Sequence, residues 1–340
     1  MENLPESPFF ESTLGSSSSS PSQKIPNDLG ALTPNQLVLL IDDDSLRGEV
    51  MHHLYEKKDS CKNLALLLWN NFNTVYMLLL EVLSVYKKFS PSTLSIREAT
   101  RVCCAIALFQ VMANNTETRR GLIKAEIPCY FYPFLKPCGD DKHLECVRTT
   151  TLGFLSDLTK FDDPHGSDAL RFFLKSEVVP LCLKCMDVCD EKSQKLATLI
   201  VMNILKQESG LTYCSATPER FFAIVQVLRR VVEKLSLKPC LLHLEYVIQC
   251  YVCLSKIYRS IGPGDEFIRQ IPSQLFDNTF RRTLLHNNEA SRMLQVLHLN
   301  IYGCLYFPPI EERKSIAKKV ASSYASSSAS SSKGKGKRKK

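Results

Sequence analysis

The chain has 340 residues, 44% of them hydrophobic, with 13 glycines and one tryptophan. That is enough apolar material for a large core and too little glycine for the turn-rich strands of a β-sandwich. The formal charge is +8, but the closing KGKGKRKK carries six positive charges and leaves +2 for everything else, so bulk charge is no argument that the body binds nucleic acid.

In chain order, residues 1–34 are rich in Ser and Pro and predict a disordered lead. They show neither the basic nor the apolar region of a signal peptide, and no apolar run reaches the length of a membrane span. The expectation is a reducing, intracellular setting without a membrane, in which the 14 cysteines are mostly buried free thiols. A helical pattern starts at Gln36 with QLVLLI and breaks at Asp42-Asp43-Asp44, where the acidic triplet beside Ser45 suits the start of the next helix, SLRGEVMHHLYEKK. LALLLW follows, and Phe72 to Lys87 then places Phe72, Val75, Tyr76, Leu79, Val82, Leu83 and Tyr86 on one stripe.

Beyond Ser90-Pro91-Ser92, helices are expected over 97–113, 118–125, 128–136, 144–160, 168–175, 178–188, 193–207, 218–235 and 238–259. Polar loops separate them at 138–142 and 162–166, and Pro128, Pro180 and Pro218 fall in first turns, where proline is tolerated. After Gly262-Pro263-Gly264, segments near 265–271, 275–285 and 289–305 close the body, taken as 35–306; residues 307–340 read as a disordered basic Ser/Lys-rich tail.

The chain also repeats itself. RVCCAIALFQVMANNTETRRGLIKAEIPCYFYPFL begins at Arg101, RTTTLGFLSDLTK with LKSEVVPLCLKCM begins the same grammar at Arg148, and KLATLIVMNIL begins it at Lys195, with 47 residues between successive leads. An all-helical period of this length marks an all-α, armadillo-like helical-repeat solenoid, a fold that presents long surfaces to partners. Stacked repeats would align the three leads, either as a basic strip for a peptide or nucleic acid or as helix-start residues bonded to neighbouring carboxylates and carbonyls.

Little in the sequence points to chemistry. Cys182/Cys185 and Cys250/Cys253 are CxxC pairs, but each sits in an apolar helical run where i and i+3 share a core face, so no metal is expected. No HExxH, Gly-rich phosphate loop, GxSxG or kinase set occurs, so neither a catalytic residue nor a cofactor is expected. In the tail, Lys333, Lys335, Lys337, Arg338, Lys339 and Lys340 read as a nuclear-import signal or a polyanion contact.

The Arg101 block, with ECVRTTTLGFLSDLTK, SEVVPLCLKCM, ERFFAIVQVL and LLHLEYVIQCYVCLS in the same order, resembles the RCD-type cell-differentiation family, the armadillo-repeat subunit of the Ccr-Not messenger-RNA deadenylase complex, over roughly Leu37 to Leu297. The resemblance implies a non-enzymatic adaptor that docks on the large Not scaffold subunit. It implies recruitment of silencing regulators through short peptides and tryptophan pockets, in cytoplasm, mRNA-processing foci and nucleus. An alternative reading, also drawn from the family, is a transcriptional or RNA cofactor that binds RNA or DNA through a basic groove and tail; self-association is left open.

This chain departs from that family where the family binds. Trp-His-Ser-Phe-Gly is here Trp69-Asn70-Asn71-Phe72-Asn73, a small groove residue is Tyr76, a tyrosine is Cys146, and Tyr-Glu-Arg-Phe is Pro218-Glu219-Arg220-Phe221. Arg148 and Gly153 are kept, and a second pocket arginine maps to Arg259. The partner-binding candidates are therefore Phe72, Tyr76, Leu83, Arg101, Arg148, Gly153, Arg220 and Arg259, with an altered choice of partners expected.

Overall fold

Polar caps start many of the helices. Thr33 and Gln36 bond reciprocally, as do Ser95 and Glu98, while Asn115, Asp141, Asp190, Thr217 and Asn287 each accept a backbone N–H. Each such cap stabilises its helix by about 1 kcal/mol. In the computed structural model, which describes residues 28–71, 73–89, 93–137, 141–161, 166–261, 264–285 and 287–303, every regular element among the described residues is helical.

The first half contains α1 (Pro34–Leu39), α2 (Arg47–Glu56), α3 (Leu64–Asn70), α4 (Thr74–Ser84), α5 (Ile96–Ala113), α6 (Thr116–Lys124), α7 (Lys142–Leu158) and α8 (Gly166–Lys175). The second contains α9 (Val178–Val188), α10 (Glu191–Lys206), α11 (Glu208–Cys214), α12 (Pro218–Leu237), α13 (Leu241–Leu254), α14 (Gly264–Gln270), α15 (Arg281–Leu284) and α16 (Asn288–Tyr302). No single described helix is long and apolar enough to cross a membrane.

Six helices, α2, α5, α7, α10, α13 and α16, form a row in which each packs on the next, while α3, α4, α6, α9, α12 and a 3-10 segment, Ile127–Leu135, pack against them. Along the row the sequence period becomes side-chain contact. Cys103 meets Cys146 at 3.6 Å, Gln110 donates to Asp157 at 2.6 Å, Thr149 meets Ser193 at 2.8 Å and Asn203 donates to Thr159 at 3.0 Å. Thr198 meets His243 at 3.0 Å and Asn300 donates to Ser255 at 2.9 Å; all of these partners lie 43 to 47 residues apart. Between the layers Phe109, Phe131 and Phe154 are fully buried and in ring contact, at 4.7 to 6.0 Å between centroids.

Among the described residues two non-glycine residues adopt positive φ, Glu126 at 53° and Glu177 at 55°. Each immediately precedes a helical segment, Ile127–Leu135 and α9 respectively, so the Glu-Ile-Pro and Glu-Val-Val-Pro wording marks one backbone reversal used twice. At Gly121 a Cβ would lie 2.1 Å from the Trp69 ring, so this glycine lets α6 close on α3.

The structure differs from the sequence expectations in several places. Ordered chain is present before residue 35: a 3-10 turn at Leu29–Ala31 buries Leu29, and Pro34 already opens α1. The acidic triplet does not cap α2. Asp43 instead folds back on the Ser45 amide and hydroxyl, at 2.9 and 2.6 Å, and those bonds hold its carboxyl below the usual range. Segment 128–136 is 3-10 rather than α because Pro133 inside it lacks the N–H an α-helix needs. The 238–259 expectation divides into α13 and a 3-10 turn at Tyr258–Ser260, and α11 fills a stretch expected to be loop. The α11 helix is short and contains Gly210, which hides its period; a Cβ there would sit 2.1 Å from the Ile204 carbonyl.

Candidate partner-binding surfaces

The three repeat leads do not form a free basic strip. Arg101 donates to Glu81 through Nε and Nη2, both at 2.7 Å, and to Asp44 at 3.0 Å. Arg47 reaches the same two acids, Glu81 at 3.0 Å and Asp44 at 2.8 Å, and also bonds the carbonyls of Ile41 and Asp42. Two arginines and two carboxylates thus neutralise one another around Glu81, which is only 6% exposed. The bonds from Glu81 raise the pKa of Arg101 further.

Arg148 is interior, at 2% exposure, bonded to Glu145 and donating to the Lys136 carbonyl at 3.0 Å. As a surface contact for a partner it is therefore corrected: it ties α7 to the end of the Ile127–Leu135 segment. Lys195 is half-buried near His243, whose pKa burial first, then Lys195 and Lys234, bring down to about 4. Gly153 is also buried and faces Gln110, 3.5 Å from where its Cβ would stand. It lies in a polar strip where Gln110 and Asn114 both donate to Asp157, and Lys160 bonds Asn114 at 2.7 Å.

On α4, Tyr76 is 58% exposed and Leu80 37% exposed, with half-buried Leu83 completing an i, i+4, i+7 stripe. Cys146 lies in contact with Cys103 rather than standing free. Phe72, and Lys333, Lys335, Lys337, Arg338, Lys339 and Lys340 of the tail, lie outside the described residues.

A different arrangement surrounds Arg220. Its guanidinium lies 4.1 Å over the Tyr213 ring and Nη1 donates to the Tyr213 carbonyl at 2.9 Å. Where the resemblance puts a tyrosine this chain has Pro218, and the ring under Arg220 is instead Tyr213 on α11; helical periodicity does not show it, and its signal in the sequence is a tyrosine seven residues before Arg220. Arg259 repeats the theme: it is exposed, its guanidinium is 5.5 Å from the Tyr258 ring, and Nε donates to the Tyr258 hydroxyl at 3.0 Å. Phe267 packs on both Phe221 and Tyr258, at 5.5 and 4.9 Å, so the two arginines flank one aromatic cluster.

The CxxC pairs are buried, and burial pushes the Cys182 thiol up to about 12 and the Cys250 thiol well above its ordinary range. Among the described residues no three His, Cys, Asp or Glu side chains converge as a metal site would require.

Residues 37–301 match the family described as "Cell differentiation family, Rcd1-like". The chain belongs to that family. The Rcd1-like chain is 34% identical over 277 residues to "Cell differentiation protein rcd1" of Schizosaccharomyces pombe, covering 81% of this chain and 95% of that protein. It is also 34% identical over 256 residues to "Protein CAF40" of Saccharomyces cerevisiae, covering 75% and 67%. Among solved structures, computationally designed armadillo repeat proteins for modular peptide recognition superpose with a TM-score of 0.55 at 13% identity, over 79% of this chain and 99% of that one. A second designed armadillo repeat protein gives 0.54 at 11%, over 79% and 100%. At those identities the likeness concerns fold alone, and it makes this Rcd1-like protein an armadillo-repeat solenoid.

Proposed function

We propose that this Rcd1-like protein is a non-catalytic adaptor subunit of the Ccr-Not deadenylase complex. It docks on the large Not scaffold subunit and recruits regulators for mRNA deadenylation, decay and translational repression, in the cytoplasm with its mRNA-processing foci and in the nucleus. Family membership over 37–301, which takes in all six helices of the row, is the observation that carries this reading.

The surfaces suggest how the contacts are made. A guanidinium has two faces; with one of Arg220's on Tyr213, a partner's indole would stack on the other, a pairing favoured electrostatically and by area. The exposed Tyr76 ring stands where the family resemblance expects a small residue, so peptide choice at α4 is altered while scaffold docking is retained.

Pull-down of the full-length chain against the middle region of the large Not scaffold tests the reading, and no binding by a correctly folded chain overturns it. Affinity purification with mass spectrometry of wild type against Tyr76→Ala tests the altered specificity: a changed partner list is expected, and an identical one removes Tyr76 as a gate.

The nucleic-acid reading is carried by the six charges of KGKGKRKK, since Arg101 and Arg148 are committed to internal partners. Its signature is an affinity whose logarithm falls linearly with log salt. Deleting the last eight residues abolishes that binding if the tail is responsible, whereas binding that persists would put it on the solenoid.

A further inference from the structure

The adaptor reading leaves the thiols of the described residues unused. Cys103 on α5 and Cys146 on α7 come from adjacent repeats, 43 residues apart, and their sulfurs lie 3.6 Å from each other. Both residues are half-buried, but the Cys103 sulfur is the more enclosed, so Cys146 is the one that solvent reaches, whereas Cys104, Cys182, Cys185, Cys214, Cys250 and Cys253 are all buried. The Thr150 hydroxyl donates to Cys103 at 3.6 Å and to the Cys146 carbonyl at 2.8 Å, which fixes this stretch of α7 against α5.

We propose that Cys103 and Cys146 form a peroxide-sensitive dithiol site, with Cys146 as the attacking thiolate and Cys103 as the resolving thiol. The greater openness of Cys146 and the direction of the bond between the two sulfurs assign the roles. Of the pair, Cys146 is the one brought down, to about 7, by the hydrogen bond from Cys103, with Thr150 and Lys192 acting in the same direction against burial and Asp190. Cys103 is raised by the same bond and by burial, so it keeps its proton until Cys146 has reacted. A low-pKa, reachable thiolate beside a second thiol is the arrangement found at reversible redox sites.

The chemistry balances with a hydroperoxide as the oxidant. The Cys146 thiolate attacks the peroxide oxygen; an S–O bond forms, the O–O bond breaks, and the leaving oxyanion takes a proton, giving a sulfenic acid. Cys103 then attacks the Cys146 sulfur, the S–S bond forms, and hydroxide leaves and takes up the Cys103 proton as water. With hydrogen peroxide the sum is two thiols and one peroxide to one disulfide and two waters. Closing the sulfurs from 3.6 Å to bonding distance requires about 1.5 Å of relative movement. The product staples α5 to α7, and a dithiol reductant reverses it.

A competing pair exists within the molecule. Cys189 is likewise brought down to about 7, by its bond with Cys185. However, Cys185 is buried, donates to the Leu135 carbonyl at 3.3 Å, and is only four residues from Cys189 at the end of α9. That places it poorly for a resolving attack.

The test treats the reduced full-length protein with hydrogen peroxide and maps unreduced peptides by mass spectrometry. The expected result is loss of two hydrogens, a linked Cys103–Cys146 peptide pair, and oxidation of Cys146 about tenfold faster than of exposed Cys240. In Cys103→Ser a dimedone adduct should accumulate on Cys146, and in Cys146→Ser neither the link nor that adduct should form. The wild-type map needs no variant to fold. A link between Cys185 and Cys189, or oxidation of Cys240 or Cys129 before Cys146, overturns the proposal. None of these readouts depends on scaffold binding, so they stand apart from the adaptor reading.

Discussion

At α4–α5 the arginines converge on carboxylates, whereas Arg220 at the start of α12 and Arg259 after α13 each lie on a tyrosine. Arg47 and Arg101 use their donors on Glu81, Asp44 and two backbone carbonyls, and little directional capacity is left for a partner. Arg220 and Arg259 rest on Tyr213 and Tyr258 instead, with no carboxylate bonded to either in the described structure. The same residue type thus ties helices through carboxylates in one region and lies on an aromatic ring in the other. What decides between the two roles is the neighbour brought in by the fold, not the position in the repeat.

The largest expected effect breaks the first region. Glu81→Ala leaves Arg47, whose side chain is 9% exposed, and the partly exposed Arg101 with only solvent-facing Asp44 between them. Removing one partner of a buried charge group costs about 3–5 kcal/mol, so the urea midpoint of the full-length protein should drop sharply with an unchanged slope. A change below about 1 kcal/mol would show that the four charges are merely adjacent, as surface pairs are.

A third basic side chain is treated differently again. His243 on α13 is buried, hydrogen-bonded to Thr198, and held neutral because burial, then Lys195 and Lys234, bring its pKa from 6.5 to about 4. Over that interval the unfolded chain binds more protons than the folded one, so stability is fully present above about 6.5 and is lost progressively as pH falls towards 4. The loss is on the order of 3 kcal/mol at its limit. His243→Gln, which preserves a hydrogen-bonding side chain, should flatten the dependence of the urea midpoint over that window; an unaltered slope would assign it to other groups.

Much of this was legible in the sequence, and the failures share a cause. The period at Arg101, Arg148 and Lys195 gave the helical row, because stacked repeats must bring equivalent positions together, as Gln110 with Asp157 and Thr198 with His243. Periodicity says nothing about what faces each position from the other layer, however. That is why the sequence leaves Arg101 and Arg148 open as a strip or as internal ties, and why it does not place Tyr213 beneath Arg220. Glu81 was hidden for the same reason: an acid in an apolar helix is legible only once Arg47 and Arg101 are seen to converge on it.

Arg220→Ala and Arg259→Ala test the second region. Losing a cation–π contact at such a site alters stability by about 1 kcal/mol or less. Loss of an arginine on which a partner's aromatic packs weakens binding by about tenfold or more. Denaturation and scaffold or regulator affinity, measured on the same samples, should therefore separate: binding falls while the midpoint scarcely moves. The reverse pattern, stability lost with affinity intact, would make these arginines internal ties like those around Glu81.

The smallest effect concerns what the two regions share. Glu126 and Glu177 adopt the same left-handed conformation, one ahead of the Ile127–Leu135 segment and one ahead of α9, so the backbone device is common even where the side-chain chemistry diverges. An L-residue in that conformation costs about 1–2 kcal/mol, and glycine relieves it while giving back about 0.5–1 kcal/mol in unfolded-chain entropy. Glu126→Gly and Glu177→Gly should accordingly each leave stability unchanged or raise it by up to about 1 kcal/mol, by the same amount at both sites. Unequal shifts in the urea midpoint would mean that one of these glutamates also contributes through its carboxylate, Glu126 beside Cys129 or Glu177 beside Tyr213, where burial first and then the carboxylate raise the neighbour's pKa.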